Sequence, residues 1–409
     1  MIRSSAIETG KIRNQIPNFS IFLAMIYRRA SEKLLELATY FKVVAVVGPR
    51  QSGKTTLVRS IFPQKPYVSL EDPDRRRYAL EDPRGFLGDF PEGAILDEVQ
   101  RTPELFSYLQ GIVDEKSTTG QFILTGSNNF LLQQSITQSL AGRVGYLQLL
   151  PFQLAEIYSR EQEVPDEDSL MLKGGFPPIY QPGIPTSLWY PNYLRTYIER
   201  DLRQVKNISD LIVFERFIRL LAGRVGQELN LTSLGNEVGV DSKTIQSWIG
   251  ILESSFLIYL LRPHFQNFNK IIVKRPKLYF LDTGLVSFLL GIERKEQLKT
   301  HPLRGALFEN LIVTELIKQR THHAQEINLF FWRDKTGHEI DVLIDEGLDL
   351  IPIEIKSGKT INSDYFKNLK YWMKLSGQKR GMVLYGGDQS QSRSDGVKVL
   401  NWKAYFYRD

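Results

Sequence analysis

The chain has 409 residues, of which 42% are hydrophobic and 24% charged, the ordinary composition of a globular protein. A chain of this length is too long for one hydrophobic core, so we expect about two to four domains. It contains no cysteine, which excludes disulfides, thiolate nucleophiles and cysteine-based zinc sites. The formal net charge of +6 favours a polyanionic partner, although such a charge is also common on solvated surfaces.

Residues 1–26 predict an irregular N-terminal extension. The apolar run 21–27 is shorter than the roughly 20 residues that span a bilayer, and no other run is long enough. Arg28 and Arg29 follow this run without a small-residue cleavage site, so it does not match a signal peptide. We therefore expect a cytoplasmic protein without membrane contact, haem, flavin or zinc. Residues 27–40 predict an amphipathic helix.

Residues 48–55 read GPRQSGKT, a complete GxxxxGK[ST] motif between an apolar run, 43–47, and a helix-prone segment. A turn of this kind offers backbone N–H groups and the positive end of a helix dipole to a phosphate. Lys54 adds a cation, and Thr55 adds a hydroxyl ligand for Mg²⁺. A chance match in an ordinary loop is the alternative. The predicted nucleotide-binding residues are Gly48, Pro49, Arg50, Gln51, Ser52, Gly53, Lys54, Thr55, Thr56 and Asp97.

Two carboxylates follow the apolar run 94–96, as expected at the tip of a second P-loop strand. We predict that Asp97 holds Mg²⁺ together with Thr55, and that Glu98 polarises the attacking water. A buried strand that happens to end in two acids is the alternative. The spacing from residues 48–55 leaves room for the intervening strand and helix, which favours the catalytic interpretation.

A third apolar run, 122–124, ends in polar residues, of which Ser127 or Asn128 could sense a γ-phosphate. Because strands alternate with helices, we expect a parallel sheet with these polar clusters at its carboxyl edge. Arg143 is a candidate arginine finger, with a solvated surface arginine as the alternative. The predicted catalytic residues of this site are Lys54, Glu98, Ser127, Asn128 and Arg143.

These residues together resemble the AAA+ branch of P-loop ATPases. From about residue 25 the chain resembles bacterial and archaeal ATPases that join such a core to a poorly characterised C-terminal domain. The resemblance lies in GPRQSGKTTL (48–57), LDEVQ (96–100), TGSN (125–128), LAGR (140–143) and YIERDL (197–202). It implies that the nucleotide is ATP, that residues 27–150 form the ATPase core, and that a helical lid and linker follow over 151–210. The irregular segment 172–185 and a helix over 193–205 are expected within that lid.

Residues 211–265 predict a winged helix, followed by a connector over 266–300. The segment 229–252 has the layout of helix, tight turn and helix, with Thr232 and Asp241 as predicted N-caps. The second helix would expose short polar side chains and one lysine, which suit a DNA major groove. A module used only for packing is equally compatible. The predicted DNA-binding residues are Lys243, Thr244, Gln246 and Ser247.

The last predicted domain, 301–409, carries a second set of charged residues. Glu354 and Lys356 are two apart on a predicted strand, so they face one side of a sheet, and Asp341 lies on a neighbouring strand. This D…ExK pattern resembles the PD-(D/E)xK nucleases. In that chemistry Asp341 and Glu354 hold Mg²⁺ and Lys356 orients the nucleophilic water. Glu309, on an apolar stripe of a predicted helix, matches the helical metal-binding acid of related nucleases.

The sequence therefore predicts an α/β protein with a parallel-sheet P-loop core, a helical lid, a winged helix and a restriction-endonuclease-like α/β domain. We expect an ATP- and Mg²⁺-dependent homo-oligomer that acts on DNA ends or branches. In the alternative function, the ATPase is a switch for a DNA- or protein-binding adaptor that does not cut.

Overall fold

The computed structural model describes residues 26–127, 136, 138–158, 164–180, 184–197, 210–264 and 274–407. The predicted extension 1–26 therefore lies almost wholly outside the described residues. In the described ranges, no helix is both long and apolar enough to cross a membrane.

A fully parallel five-stranded sheet forms the first part of the chain, in the order β2-β3-β4-β1-β5. Its strands are β1 (Val43–Val47), β2 (Tyr67–Ser69), β3 (Ile95–Asp97), β4 (Phe122–Gly126) and β5 (Val144–Gln148). Its helices are α1 (Ala30–Tyr40), α2 (Lys54–Ile61), α3 (Pro73–Glu81), α4 (Pro83–Gly88) and α5 (Leu105–Glu115), with a 3-10 turn at Val99–Arg101. All five residues of β1 are buried and alternate between the two faces, so the predicted parallel sheet is confirmed.

Short helices follow this sheet, namely α6 (Leu154–Ile157), α7 (Glu167–Lys173), α8 (Pro177–Tyr180) and α9 (Thr186–Tyr197). The predicted irregular segment 172–185 thus contains α8. The predicted helix over 193–205 begins earlier, at Thr186, and residues 198–209 lie outside the described ranges. The early start has a packing reason, since Trp189 and Tyr190 are buried against neighbouring helices.

The middle of the chain contains α10 (Leu211–Ala222), α11 (Leu231–Val238), α12 (Ser242–Ser254), α13 (Thr283–Leu289) and α14 (Lys295–Thr300). Strands β6 (Ile258–Leu261) and β7 (Lys277–Phe280) pair in antiparallel fashion. The predicted helix–turn–helix layout is present, and Asp241 caps α12 as predicted. The predicted cap at Thr232 is wrong, because Asn230 accepts the hydrogen bond that caps α11. The predicted connector 266–300 contains β7, which pairs with a strand from before the undescribed residues 265–273.

A six-stranded mixed sheet occupies the C-terminal part, in the order β12-β13-β11-β10-β9-β8. Its strands are β8 (Leu329–Arg333), β9 (Glu339–Asp345), β10 (Leu350–Lys356), β11 (Gly381–Tyr385), β12 (Gln391–Ser392) and β13 (Val397–Asn401). Its helices are α15 (Arg304–Thr321), α16 (Lys367–Ser376) and α17 (Trp402–Phe406), with a 3-10 turn at Ser363–Phe366. Strands β8, β9 and β10 are antiparallel neighbours, whereas β10, β11 and β13 run parallel.

Helix α15 is buried on nearly all sides, which differs from the single apolar stripe expected from its sequence. Its buried residues include not only Leu307, Ile312 and Ile317 but also Asn310 and Glu315. The helix packs on β10, β7, α13 and α7, so it contacts elements of three predicted domains. One continuous apolar cluster accordingly runs from the first sheet through the middle helices to α17. Two smaller clusters lie within one predicted domain each, one on the first sheet and one between the C-terminal sheet and α16, so the predicted domain boundaries stay a prediction.

Asn310 joins α15 to β7 by two buried hydrogen bonds. Its side-chain oxygen accepts from the backbone N–H of Phe280 at 2.8 Å, and its nitrogen donates to the carbonyl oxygen of Phe280 at 2.9 Å. A buried amide that satisfies both polar groups of one residue fixes the position of β7 along the helix.

We expect Asn310→Ala to lower the free energy of unfolding by about 2–4 kcal/mol, because both backbone groups of Phe280 would remain buried without partners. Urea denaturation followed by circular dichroism measures the change. Asn192→Ala is the control, since Asn192 is exposed and bonds only the carbonyl oxygen of Leu188 in its own helix. Equal denaturation midpoints for the two variants would contradict the prediction.

Candidate functional site

The GPRQSGKT segment forms the loop between β1 and α2, and its shape requires glycine at two positions. A Cβ atom at Gly48 would lie 2.0 Å from the carbonyl oxygen of Leu149, so no side chain fits there. Gly53 caps α2 with a φ of 92°, which glycine adopts at little cost. Gln51 also has a left-handed φ, of 64°. Lys54, Thr55 and Thr56, the first residues of α2, line a pocket, as expected for a helix N-terminus that presents its backbone N–H groups to a ligand.

This pocket has a volume of about 560 Å³, which lies in the range of small-molecule sites. Of the predicted nucleotide-binding residues, it is lined by Arg50, Gln51, Gly53, Lys54, Thr55, Thr56 and Asp97. Gly48, Pro49 and Ser52 belong to the same loop but do not line the pocket. The carbonyl oxygens of Gly48 and Pro49 each accept a hydrogen bond of 2.9 Å from Nζ of Lys54, and Ser52 is fully buried.

Asp97 lies where the sequence predicted a magnesium ligand. The hydroxyl of Thr55 lies 3.1 Å from Oδ2 of Asp97, and the hydroxyl of Tyr67 donates to the same oxygen at 2.7 Å. Thr125 donates to the other carboxylate oxygen. A carboxylate next to a hydroxyl is a donor set of hard oxygens, which is the kind that Mg²⁺ prefers. The residues present therefore fit a magnesium ion at the floor of the pocket.

Glu98 has an unusual backbone and an ionised side chain. Its φ of 56° is left-handed, a conformation that costs a non-glycine residue about 1–3 kcal/mol and is often found at functional sites. The hydroxyl of Ser127 donates to its carboxylate at 2.8 Å. Burial favours the neutral acid, but Lys54 and Arg50 outweigh it, so the pKa of Glu98 lies below its usual value. A charged carboxylate at this point has the protonation state of a base.

Arg143, another predicted catalytic residue, does not line the pocket. Arg143 forms an ion pair with Asp114 through two nitrogens, and both side chains are partly exposed. Within one chain, Arg143 thus lies outside the pocket, and its role as an arginine finger remains a prediction. Asn128 lies outside the described residues, so its predicted role stays open as well.

Part of the pocket lining comes from α8 and α9, which the phosphate-binding motifs did not identify. Pro177 and Pro178 contribute from α8, and Tyr193, Thr196 and Tyr197 contribute from α9. Pro177 adjoins the P-loop, since its Cγ lies 3.8 Å from the position that a Cβ atom would take at Gly53. The only sequence signal for them was the expectation that a helical lid follows the core.

A buried polar cluster lies beneath the P-loop and was also missed from the sequence. The guanidinium of Arg28 donates to the carbonyl oxygens of Ser52 and Leu150, at 2.7 Å each, and lies 3.2 Å from the carboxylate of Glu156. The backbone N–H of Leu150 donates to Nε2 of His322, just after α15, at 3.2 Å. Because Arg28 and His322 are 294 positions apart, no local pattern predicts their contact.

The C-terminal sheet brings together the predicted D…ExK residues. Oδ2 of Asp341 accepts a hydrogen bond of 2.8 Å from the backbone N–H of Ile355, on the adjacent strand. The ammonium of Lys356 lies 2.7 Å from Glu354 and 3.5 Å from Asp341. Burial and the nearby Asp341 raise the pKa of Glu354 well above its usual value. Asp341 and Glu354 lie side by side, so both carboxylates can be ionised at the same time only if a cation compensates their charge.

No donor among the described residues reaches Oε1 of Glu354, although the side chain is only 3% exposed, and the neighbouring carboxylate of Asp341 can bond to Glu354 only by sharing a proton. A buried carboxylate oxygen without a partner is costly, and a bound cation would satisfy it. Mg²⁺ commonly takes only one or two carboxylates and completes its shell with water and phosphate. Asp341 and Glu354 therefore fit a magnesium ion as a pair.

Glu309 lies in the same region but is bound by other groups. Lys277 Nζ is 3.1 Å from Oε1 of Glu309, and the hydroxyl of Tyr279 donates to that oxygen. Nowhere in the described ranges do three or more His, Cys, Asp and Glu side chains form a group that could hold a metal ion. Glu309 thus lies in the same region as Asp341 and Glu354, but the three acids do not form the predicted three-ligand metal site.

The predicted DNA-binding residues lie on the outer face of α12. Lys243 and Gln246 are exposed, and Thr244 and Ser247 are partly buried. The hydroxyl of Thr244 donates to the capping carboxylate of Asp241, so Thr244 already has a structural role. The opposite face of α12 is buried, as the sequence predicted.

Family models match successive parts of the chain: an AAA domain at residues 40–158, a domain of unknown function (DUF8612) at 165–296, and another (DUF4143) at 304–405. The first match confirms the predicted AAA-type ATPase domain. An uncharacterized protein of Mycobacterium tuberculosis is 30% identical over 350 residues, which is 84% of this chain and 77% of the relative. An uncharacterized protein of Haemophilus influenzae is 20% identical over 292 residues, 68% of either chain.

Among solved structures, the chain is similar to the Walker-type ATPase of Pyrococcus abyssi, at 14% identity and a TM-score of 0.43. That match covers 65% of this chain and 96% of the other. A RuvB variant of Thermotoga maritima is 17% identical, with a TM-score of 0.27 and coverages of 57% and 87%. Likenesses this distant carry no argument about function or partners.

The buried histidine beneath the P-loop gives a testable pH dependence. Burial lowers the pKa of His322 to about 3, against 6.5 for an ordinary histidine. Because the folded pKa is depressed, the unfolded chain binds a proton below pH 6.5 that the folded protein does not. The stability contributed by neutral His322 is complete above pH 6.5 and falls as the pH drops towards 3, with a slope of about 1.4 kcal/mol per pH unit.

We expect His322→Gln to remove the contribution of His322 to the slope of the unfolding free energy against pH between pH 6 and 4.5. Glutamine does not titrate, and its side-chain oxygen can still accept from the backbone N–H of Leu150. Urea denaturation at several pH values measures the slope for the parent protein and the variant. His323→Gln, at the exposed neighbouring position, is the matched control and should keep the parent slope. Parallel pH profiles for the parent and His322→Gln would show that His322 does not titrate in this way.

Proposed function

The chain belongs to the same protein family as the uncharacterized mycobacterial protein, and we propose that it is an ATP-hydrolysing protein that acts on DNA. In this proposal the AAA-type domain binds and hydrolyses ATP, and the C-terminal sheet carries a Mg²⁺-dependent, nuclease-like site for DNA ends or branched DNA. The observation that carries the second half is the buried pair Asp341 and Glu354, with Lys356 at its open side.

The pocket at the start of α2 supports the first half of the proposal. The backbone N–H groups of the first turn of α2 and the ammonium of Lys54 would bind the phosphates, and Lys54 would exchange two backbone carbonyls for phosphate oxygens. Asp97 and Thr55 would hold Mg²⁺, which neutralises charge that develops on the phosphates. Glu98, held by Ser127, would orient and deprotonate the attacking water. Tyr193 and Tyr197 would cover the nucleotide from the lid side.

We expect Glu98→Gln to bind ATP within about threefold of the parent protein and to lower kcat by at least about 100-fold, because the base is lost while the phosphate contacts remain. Lys54→Ala should instead lose most of the nucleotide affinity. Isothermal titration with a non-hydrolysable ATP analogue and a phosphate-release assay measure the two effects. Glu104→Gln, at an exposed position, is the control. Hydrolysis at the parent rate in either site variant would refute the assigned role.

Several features support the C-terminal half. Asp341 and Glu354 lie on adjacent antiparallel strands, and one oxygen of Glu354, which no donor among the described residues reaches, would bind a cation. Lys356 is 31% exposed, so its ammonium can reach a bound water or a phosphodiester. Mg²⁺ at the pair would polarise the phosphodiester and lower the pKa of a bound water. Lys356 would then orient that water and stabilise the charge of the phosphate.

DNA is proposed as the substrate because two phosphate-handling sites occur on a chain with a net charge of +6 and a pI near 9.1. The exposed side chains of Lys243 and Gln246 on α12 would add contacts to the duplex, with Thr244 and Ser247 beside them. A homo-oligomer is part of the proposal. Arg143 lies outside the pocket of its own chain, so it would act as an arginine finger on the ATP that a neighbouring subunit binds.

One observation favours a second function, an ATP-switched adaptor that binds DNA or protein without cutting. The carboxylates of the C-terminal site are already paired with lysines, and Glu309 is not available as a third ligand. A nuclease-like fold that has lost catalysis would keep such ion pairs as structural contacts. The two functions differ in whether Asp341 is needed for an observable reaction.

We expect the parent protein to cut DNA in the presence of Mg²⁺, and Asp341→Ala to bind DNA normally but to lose cutting by at least about 100-fold. Linear, supercoiled, single-stranded and branched DNA, each with and without ATP, are tested by gel electrophoresis and mobility shift. Asp349→Ala, in the exposed turn between the same two strands, is the matched control. Lys54→Ala shows whether the reaction needs ATP.

The outcomes separate the candidate functions. ATP-dependent DNA binding without cutting, unchanged in Asp341→Ala, would favour the adaptor. Cutting that persists in Asp341→Ala would refute the assigned metal site. No DNA binding at low salt, with or without ATP, would refute the DNA-acting proposal as a whole.

A further inference from the structure

The C-terminal site is completed by a strand from outside its own sheet. Strand β7 belongs to the β6–β7 pair, and it places Lys277 and Tyr279 against α15. The link is reinforced at the edge of the C-terminal sheet, where His264 donates from its backbone to the carbonyl oxygen of Phe331 at 2.8 Å. Phe331 in turn donates to the carbonyl oxygen of Arg262 at 3.1 Å. The β6–β7 pair and the C-terminal sheet are therefore joined at this site.

Lys277 is a buried cation between two acids. Its side chain is 3% exposed, and its ammonium contacts Glu309 on α15, at 3.1 Å, and Glu339 at the start of β9. Burial favours the neutral amine, but the attraction of Glu309 and the neighbouring acids outweighs it and holds the pKa of Lys277 well above its usual value. This lysine therefore carries its charge permanently.

We infer that Lys277 neutralises Glu309 in the C-terminal site. Its ammonium pairs with the carboxylate of Glu309, so that Asp341 and Glu354 alone bind one divalent cation. This inference rests on the proposed function, because it concerns the metal content of the same site. It also assigns a role to a residue of β7 that lies outside the D…ExK pattern.

The contacts of Glu309 show why a metal ion does not share it. Oε1 of Glu309 accepts from both Lys277 and the hydroxyl of Tyr279, so this oxygen already has two donors. A divalent cation at Glu309 would have to displace these donors and lie beside a buried ammonium, where repulsion is only weakly screened. The unpaired oxygen of Glu354, by contrast, has no competing donor within the described residues.

The two lysines of the site therefore differ in role. Lys356 is partly exposed and bridges the two carboxylates that would bind the metal, so it can move to a phosphate when the metal takes its place. Lys277 is buried and cannot touch a substrate. It is a positioning residue, which neutralises Glu309 and limits the site to one divalent cation.

The test counts Mn²⁺ bound to the full-length, nucleotide-free protein by electron paramagnetic resonance. All proteins carry Asp97→Ala, which removes the proposed metal ligand of the ATP pocket. We expect this parent to bind one Mn²⁺ per chain, and Glu354→Gln to weaken that binding at least tenfold. Glu309→Gln should stay within about threefold of the parent, because Glu309 is not a ligand.

Removing the ammonium should have the opposite effect. We expect Lys277→Met either to bind a second Mn²⁺ or to bind the first at least tenfold tighter, because Glu309 becomes free for metal. The double variant Lys277→Met with Glu309→Gln should return to the parent stoichiometry and affinity. It removes Lys277 together with the carboxylate of Glu309, and Glu339 keeps Arg333 as an ion-pair partner, so this variant leaves no buried acid of the pair uncompensated even if Lys277→Met is destabilised.

Each result decides one question. A loss in Glu309→Gln as large as that in Glu354→Gln would overturn the inference and leave the metal site of the proposed function intact. Folded Lys277→Met that binds Mn²⁺ as the parent does would overturn it as well. If the parent shows no Mn²⁺ that Glu354→Gln removes, the metal site of the proposed function fails, and the inference fails with it.

Discussion

Helix α15 is the element on which both candidate sites depend. It has 18 residues and is therefore about 27 Å long. Near its start, Glu309 and Asn310 hold β7 and the C-terminal cluster. Near its end, Glu315 accepts from the backbone N–H of Leu154, and Lys318 donates to the carbonyl oxygen of Phe152. The next residue after the helix is His322, beneath the P-loop.

The polar contacts along α15 fix its position more strictly than apolar packing would. Apolar side chains tolerate a small shift, but a buried amide or ion pair that loses its partner costs several kcal/mol. The carbonyl oxygen of Ser52 in the P-loop accepts from Arg28, and Arg28 contacts Glu156 and the carbonyl oxygen of Leu150, which in turn contact His322 at the end of α15. The same rigid helix carries Glu309 at its other end. This physical path exists without any flexible linker between the two sites.

The sequence predicted what is encoded locally. The P-loop, Asp97 and Glu98 were identified because phosphate chemistry requires these residue types at fixed spacing, and Asp341, Glu354 and Lys356 because strand periodicity places alternate residues on one face. Arg28, His322 and Lys277 gave no local signal, since their partners lie far away in the chain. The burial of α15 was also missed, because its polar residues imitate a solvated face until their partners are known. Residues 128 and 198–209 lie outside the described ranges, so those expectations stay predictions.

Three lysines show how burial and partner type decide what a charged side chain can do. Lys54 is buried, lies close enough to Glu98 to lower the pKa of that acid, and donates to two backbone carbonyls, which are neutral dipoles that a phosphate can replace at little cost. Lys277 is equally buried but lies between two carboxylates, so removing it from either would leave a buried charge unpaired. Lys356 pairs with carboxylates at a partly exposed position, where water can compensate an exchange. The residue type alone distinguishes none of these roles, whereas the partners and the exposure of each ammonium do.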